Sequence, residues 1–348
     1  MSVSYQKAKI SDLKVVTETT TSASGQPSAS RSVIINDQDK VSTSARFWTS
    51  IQRRLGIAPS IFQLFSHEEV FDRASSIHKD REFTLTIDNS DGESPKLLGL
   101  SADDAIRLED AQRILTSRGG EKVSYSDGVV SATFTPRSGQ RAFEIGGDEF
   151  KNRYSVKVPI DGLGDPQAFL SLLRLVCSNG MVAMAPAFRS VIAVGSQGGA
   201  YSVDRFLQSY DNVRGFDILQ SRMDQATQSW ASIREAHGLA TALSRANAPL
   251  QTISSLSALA GNPAVLYGVA TIDSMAPRRQ AMLPSKATVY DLINFATEYT
   301  THHSNDANAQ RIIHAYVGTL LSGEYDLEGT KSAGMNEFAD FFLKDTTA

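Results

Sequence analysis

Residues 165–183, DPQAFLSLLRLVCSNGMVA, form the most apolar stretch of the chain and contain its single cysteine, Cys177. The polar positions of this stretch recur at intervals of four, three and four residues: Gln167, Ser171, Arg174 and Ser178. This spacing predicts a helix with a narrow polar stripe, because a half-buried strand would alternate. Asp165 suits the N-cap and Pro166 suits the first helical position. The stretch is therefore predicted to be a buried helix.

The end of this stretch leaves two structures open. Gly180 can take the left-handed turn that closes a helix, whereas Asn179-Gly180 could form a hairpin turn between two strands. We favour the helix, because the polar spacing and both helix-end signals agree. Cys177 then lies in the last turn, where the helix dipole disfavours a thiolate. We interpret Cys177 as a packing residue rather than a nucleophile.

The chain around this stretch divides into three predicted regions. Residues 1–43 include a Ser/Thr-rich segment with little to bury, which predicts a flexible N-terminal arm. Residues 44–322 are predicted to form a single domain with a possible sub-boundary near residue 200. Strand patterns come mainly before that point and helical patterns after it. The fold class predicted is α+β, with a mainly antiparallel sheet, packed helices and a helix-rich C-terminal half.

Two local signals within the domain mark the ends of elements. Ser66 and Glu69 predict a capping box at the start of a helix. Asp127-Gly128 predicts the two-residue turn of a β-hairpin, because alternating residues flank it on both sides.

Charge and composition exclude several classes of protein. The net charge is −4, and residues 323–348 form an acidic tail, so the strongly basic balance of many DNA-binding proteins is absent. No apolar run reaches the roughly 18–20 residues needed to span a bilayer. The N-terminus lacks the apolar core of a secretory signal, which predicts a cytoplasmic protein. One cysteine excludes an intramolecular disulfide and fits a reducing compartment.

One segment, residues 113–157, concentrates bases and aromatic residues. The eight bases are Arg113, Arg118, Lys122, Arg137, Arg141, Lys151, Arg153 and Lys157. The interleaved aromatic residues are Tyr125, Phe134, Phe143, Phe150 and Tyr154. A sheet face with bases and aromatic rings can hold a single nucleic-acid strand by phosphate contacts and base stacking. The alternative, and the commoner role of such residues, is that the aromatic side chains belong to the core.

Two short segments resemble a known family. LLRLVCSNGM (172–181) contains an Arg-x-Val-Cys-x-Asn pattern, and NFATEYTTHH (294–303) contains Asn-x-x-Thr-Glu-Tyr followed by histidine. Both resemble the signature segments of a phage/plasmid-like family catalogued as domain of unknown function 932. The resemblance covers about residues 44–322. It implies a protein of phages, plasmids or related elements with no agreed enzymatic activity, so it transfers no catalytic residue.

The two signature segments suggest a pairing between them. Arg174 is the only charge of the apolar stretch after the N-cap Asp165, and a buried arginine requires an acidic partner. The second segment carries a polar stripe at helical spacing: Asp291, Asn294, Glu298 and His302. Thr288 and Asp291 form a capping box at the start of this helix. We hypothesise that Arg174 pairs with Glu298; the alternative is that the stripe is a solvated helix face.

Two other candidate sites are weak. His302, His303, His314 and Asp306 match no standard metal-ligand spacing, so we predict no metal and no cofactor. The segment GSQGGAYS (195–202) lacks the lysine of a phosphate-binding loop and is interpreted as a turn.

The function expected from the sequence is non-catalytic binding of single-stranded nucleic acid during replication or recombination of a phage or mobile element. The alternative is a structural or assembly protein that forms homo-oligomers through its helical C-terminal half. An enzyme ranks third, because no set of nucleophile, base and orienting group emerges. No membrane partner is expected.

Overall fold

The computed structural model describes residues 3–21, 27–37, 39–90, 94–101, 105–175, 180–182, 188–269, 271–304 and 306–322. The strands, in chain order, are β1 Val3–Lys9, β2 Leu13–Thr21, β3 Pro27–Ile35, β4 Asp39–Thr43, β5 Glu82–Asp88, β6 Lys96–Ser101, β7 Glu121–Ser126, β8 Val129–Phe134, β9 Phe143–Ile145, β10 Asp148–Pro159, β11 Gln167–Arg174, β12 Gly180–Val182, β13 Arg189–Val191, β14 Trp230–Ser232 and β15 Pro284–Thr288. The helices are α1 Ala45–Leu55, α2 His67–Ile77, α3 Leu108–Ser117, α4 Gly199–Ser209, α5 Val213–Gln228, α6 Ile233–Arg245, α7 Leu250–Ala260, α8 Pro263–Tyr267, α9 Pro277–Met282, α10 Val289–Glu298 and α11 Ala307–Ser322.

The first sheet has six strands in the order β1-β5-β6-β4-β3-β2, and only the β4–β6 pair is parallel. Its buried face packs on α1 and α2, whose apolar sides supply Phe47, Ile51 and Phe71 to one hydrophobic core. Helix α2 begins with the capping box predicted at Ser66 and Glu69.

The second sheet is antiparallel, in the order β12-β11-β10-β8-β7, with β13 also pairing with β11 and β9 with β10. Asp127-Gly128 forms the predicted two-residue hairpin turn between β7 and β8, and both residues have positive φ, 43° and 79°. Together with the helices that follow, this arrangement confirms the α+β prediction, its mainly antiparallel sheets and its helix-rich C-terminal half.

The helix predicted over residues 165–183 is wrong, because Gln167–Arg174 is the strand β11. Ala168, Leu170 and Leu172 are buried on one face of β11, and Phe169 and Ser171 are buried on the other. A strand that is buried on both faces lacks the alternation of apolar and polar residues that identifies a half-exposed strand. The apolar sequence of β11 therefore fitted a helical pattern equally well. The hairpin alternative is nearer the structure: β12 pairs antiparallel with β11, but Gly180 lies in β12 rather than in the turn.

The predicted flexible arm is also corrected. The described residues of the first 43 are mainly four strands of the first sheet. Leu13, Val15, Val33 and Val41 belong to its core, and the described residues of the Ser/Thr-rich part lie in β2 and β3, which pair antiparallel. Threonine and valine favour β-strands, so the low hydrophobicity of this segment did not justify the prediction of a flexible arm. The predicted acidic tail, residues 323–348, lies outside the described residues.

A second hydrophobic core joins the second sheet to the C-terminal helices. Leu170 and Val156 on the sheet, Phe216 and Leu219 on α5, and Tyr316 on α11 belong to this core. Within the described ranges, no helix combines the length and the apolar character needed to cross a membrane.

Candidate functional site

The two faces of the second sheet differ in chemistry. On β10, Phe150, Tyr154, Val156 and Val158 are buried on the face that carries the core, which we call the apolar face. The alternate residues of β10 lie on the opposite face, together with the residues that the strand register places beside them. We use the name polar face for its nine polar residues: Ser131, Thr133, Lys151, Arg153, Ser155, Lys157, Gln167, Ser171 and Arg189. Phe169, Leu173 and Val191 lie on the same side, and Ser155, Ser171 and Phe169 are buried there. Strand pairing therefore gathers four cations on one side of the sheet.

Three of these cations were predicted from the sequence. Lys151 is half-buried, Arg153 pairs with Glu121 at 2.6 Å, and the Lys157 ammonium lies 5.9 Å from the centre of the Phe169 ring. The fourth, Arg189, was missed. It stands opposite Phe169 in the β11–β13 pairing and is exposed. Only the register of β13 reveals it.

The other predicted bases do not join this group. Arg113 and Arg118 lie on or just after α3, which packs against β7 and β8, and they pair with Asp110 and Asp204. Gly120, just after this helix, approaches Ala132 and Phe134 of the apolar face, so α3 lies on that side of the sheet. Lys122, Arg137 and Arg141 are exposed in β7 and in the connection between β8 and β9.

The interleaved aromatic residues belong mostly to the core. Phe134, Phe150 and Tyr154 are each at most 3% exposed. Phe134 stacks on Tyr154 with ring centres 5.2 Å apart, and Phe143 stacks on Phe150 at 6.1 Å. Tyr125 donates its hydroxyl hydrogen bond to Asp88. These rings are engaged within the fold, so the polar face offers charge and hydrogen bonds rather than a stacking platform.

Helix α11 adds two basic groups close to Lys157. Burial, together with the positive charge of Arg311, lowers the pKa of Lys157 to about 8. Burial and then the charge of Lys157 lower the pKa of His314 to about 3. Arg311 itself is exposed and donates a hydrogen bond to Asn308. Positive charge is thus concentrated where α11 approaches β10.

The first signature segment is tied to β10. The Arg174 guanidinium donates to Asp148 Oδ1 at 2.7 Å, and Tyr290 donates to Asp148 Oδ2 at 2.6 Å. Both interactions hold the pKa of Asp148 below its ordinary value, although burial of the carboxyl acts in the opposite direction. Tyr290 lies on α10, the helix that also carries Asn294–Glu298 of the second segment. Asp148 therefore connects the first segment to the helix that contains the start of the second.

The predicted Arg174–Glu298 pair is wrong. Glu298 is exposed at the end of α10, and His302 is exposed in the π-helical turn that follows. The partner of Arg174 is instead fixed by a tight hairpin, because Gly146-Gly147 turns β9 into β10 with φ of 60° and 84° and leaves Asp148 as the next residue. A Cβ on Gly146 would lie 3.4 Å from the Tyr290 ring. Cys177 and Asn179 fall outside the described residues.

Comparison of the sequence with models of known protein families identifies the family of this chain. The family model described as Domain of unknown function (DUF932) matches residues 129–316, more than half of the 348-residue chain. The chain belongs to the DUF932 family. The searches of curated proteins and of solved structures found no match.

The matched region of this DUF932 chain runs from β8 to α11. It contains all nine residues of the polar face, the Arg174–Asp148–Tyr290 network, and Arg311 and His314. All six strands of the first sheet and its helices α1 and α2 precede the matched region. Among the described residues, no three His, Cys, Asp or Glu side chains are grouped as metal ligands.

Replacement of Asp148 by asparagine should lower the free energy of unfolding by about 2 kcal/mol, because a hydrogen bond to a charged partner contributes roughly 1.5–3 kcal/mol. Asp148 accepts one hydrogen bond on each carboxylate oxygen, whereas asparagine has only one acceptor oxygen and no charge. The largely buried Arg174 would therefore lose its ionic partner. Urea denaturation measures the change. Glu298→Gln is the control and should stay within about 0.5 kcal/mol of the unmodified protein. A larger loss for Glu298→Gln than for Asp148→Asn would contradict this network.

Stability should fall as pH decreases from about 6.5 toward 3, partly through His314. Its unfolded pKa is near 6.5 and its folded pKa is lowered to about 3, so the unfolded chain binds the proton first. The stabilisation is complete above pH 6.5 and declines by at most ~1.4 kcal/mol per pH unit below it. His67, with a pKa lowered to about 4, contributes in an overlapping range.

The variant His314→Gln isolates the first of these contributions. Its unfolding free energy, measured at pH 7, 6 and 5, should depend less on pH than that of the unmodified protein. Equal slopes for the two proteins would show that His314 is accessible to protons in the folded state.

Proposed function

We propose that this DUF932 protein binds single-stranded nucleic acid on the polar face of its second sheet, as a non-catalytic component of phage or mobile-element replication or recombination. The observation that carries the proposal is the alignment of Lys151, Arg153, Lys157 and Arg189 on one sheet face. Lys151 and Arg153 are two residues apart on one strand, about 6.8 Å, and Lys157 lies about 13 Å farther along. This row follows the direction in which an extended strand would lie.

The surroundings of the row support a phosphate-rich ligand. Ser131, Thr133 and Gln167 flank β10 on the same face and can donate hydrogen bonds. Arg311 adds a further positive charge beside Lys157. Because the aromatic rings are buried in the core, the proposed binding depends on phosphate contacts and has little base preference.

A salt titration tests this proposal. Fluorescence anisotropy of a labelled oligo-dT should show binding that weakens about 20- to 50-fold between 50 and 200 mM salt, the change expected for three to four phosphate contacts. A double-stranded competitor of the same length measures the preference for single strands. Absence of binding at 50 mM salt, or binding that salt does not weaken, would overturn the proposal.

A second function, self-assembly through the helical half, has one specific observation in its favour. Leu250 at the start of α7 is 82% exposed, and Val265 on α8 is 81% exposed. Exposed apolar residues can mark an interface where they form a contiguous patch, and these two lie on successive helices. Light scattering without nucleic acid distinguishes the two functions, since assembly predicts large particles and strand binding does not require them. The cytoplasm of a bacterial host is the proposed location for either function.

A further inference from the structure

A surface cavity of about 480 Å³ lies beside β13, outside the residues of the proposed strand-binding row. It is bounded by Val191 at the end of β13, by the loop that follows, and by one side of α4. Its volume is within the range of sites that hold small molecules. The segment GSQGGAYS, interpreted from sequence as a turn, does join a strand to a helix here and forms one wall.

The wall is held in shape by local hydrogen bonds and by close packing. Ser202 accepts from the Gly195 amide at 3.1 Å and donates to the Gly198 carbonyl at 3.1 Å. A Cβ on Gly199 would lie 2.6 Å from Ile106, so only glycine allows this approach. The cavity is therefore built into the fold before any ligand arrives.

The side chains that line the cavity include an arginine and two aromatic residues. Arg205 is exposed and makes no hydrogen bond or ion pair with the residues that the structure describes; the neighbouring Asp204 is engaged by Arg118. Tyr201 is 47% exposed, and Phe206 lies one residue beyond Arg205 on the same wall. A guanidinium prefers a phosphate or carboxylate, and aromatic side chains prefer a planar ring.

We propose that this cavity binds a nucleoside monophosphate, with Arg205 contacting the phosphate and Tyr201 contacting the base. The same chemistry can come from a free nucleotide or from the phosphorylated end of a strand. This inference goes beyond the proposed strand-binding function and does not depend on it, because the cavity shares no cation with the polar face.

Calorimetric titration with AMP tests the site, with adenosine and inorganic phosphate as probes of its two halves. AMP should bind more tightly than either probe. Arg205→Ala should weaken AMP binding about tenfold or more, and Arg205→Lys should weaken it less. Tyr201→Ala should weaken AMP and adenosine alike. Arg278→Ala, an exposed arginine on α9, is the control and should leave binding unchanged.

Two further arms separate the sources and the functions. If strand ends are the ligand, oligo-dT with a 5′-phosphate should bind more tightly than oligo-dT without it, and Arg205→Ala should remove this difference. If the two oligonucleotides bind equally while AMP still binds, the ligand is a free nucleotide. The double variant Lys151→Glu/Arg189→Glu should retain AMP binding even where strand binding is lost. No AMP binding up to about 10 mM, or equal binding by Arg205→Ala and the unmodified protein, would overturn the site.

Discussion

Replacement of Asp161 by alanine is expected to lower the free energy of unfolding by about 3–5 kcal/mol, the range measured when one member of a buried ion pair is removed. Asp161 follows β10 and is 0% exposed. Arg46 of α1 donates to both of its carboxylate oxygens, at 2.7 and 2.8 Å. The Leu163 amide also donates to it at 3.1 Å. Removal of the carboxylate leaves a guanidinium in a site that excludes most water.

This pair is the ionic contact between the first sheet's helix and the second sheet. Gly128 and Gly99 press against it, and a Cβ on Gly128 would lie 3.2 Å from Arg46 Nε and 3.3 Å from Asp161 Oδ2. Arg54 adds a hydrogen bond from α1 to the Gly162 carbonyl at 3.0 Å. Because the space is so confined, no other side chain can take over the role of the carboxylate.

Thermal and urea unfolding of Asp161→Ala, Arg46→Ala and the double variant measure this contribution. The double variant should lose less than the sum of the single losses, because the two groups act as a pair. Asp165→Ala, an exposed carboxylate four residues later, should change stability by less than about 0.5 kcal/mol. Additive losses, or a loss for Asp161→Ala no larger than that for Asp165→Ala, would contradict the pairing.

Reversal of two charges on the polar face should abolish most strand binding without unfolding the protein. The variant Lys151→Glu/Arg189→Glu removes two phosphate contacts and adds two repulsive charges. Its affinity for oligo-dT at low salt should fall by at least about tenfold, and the slope of log affinity against log salt should decrease by about 1.4. Lys151 is half-buried and Arg189 is exposed, so the melting temperature should change little.

The matched control is Arg245→Glu/Arg278→Glu, which reverses two exposed arginines of the helical half. It changes the net charge by the same amount, so it should reduce affinity only through long-range electrostatics and leave the salt slope nearly unchanged. Equal losses in the two double variants would place the strand elsewhere on the protein.

Helix caps and tight turns could be predicted from the sequence, because they depend on residues that are close together in the chain. The capping boxes at Ser66 and Thr288 and the Asp127-Gly128 turn are all confirmed. Strand β11 was not readable, because burial on both faces removes the alternation that distinguishes a strand. The Ser/Thr-rich hairpin was misjudged from composition alone.

Contacts that depend on tertiary pairing could not be predicted. The acid that meets Arg174 is 26 residues away in sequence and is brought there by the β9–β10 hairpin and the β10–β11 register. The sequence correctly required an acidic partner for Arg174, but it could not choose Asp148, which lies outside both signature segments, over Glu298. Arg189 joins the polar face only through strand pairing, and Arg311 of α11 approaches Lys157 only through helix packing, so no local pattern could reveal either.

Reductive cross-linking tests the location of the strand most directly. An oligo-dT that carries aldehyde-bearing abasic sites forms a Schiff base with a nearby amine, which borohydride traps and peptide mass spectrometry locates. The lowered pKa of Lys157, about 8, favours its reactive neutral form. The polar-face account predicts cross-links at Lys151 and Lys157. Cross-links confined to Lys14, Lys79 or Lys286, which lie off this face, would contradict it.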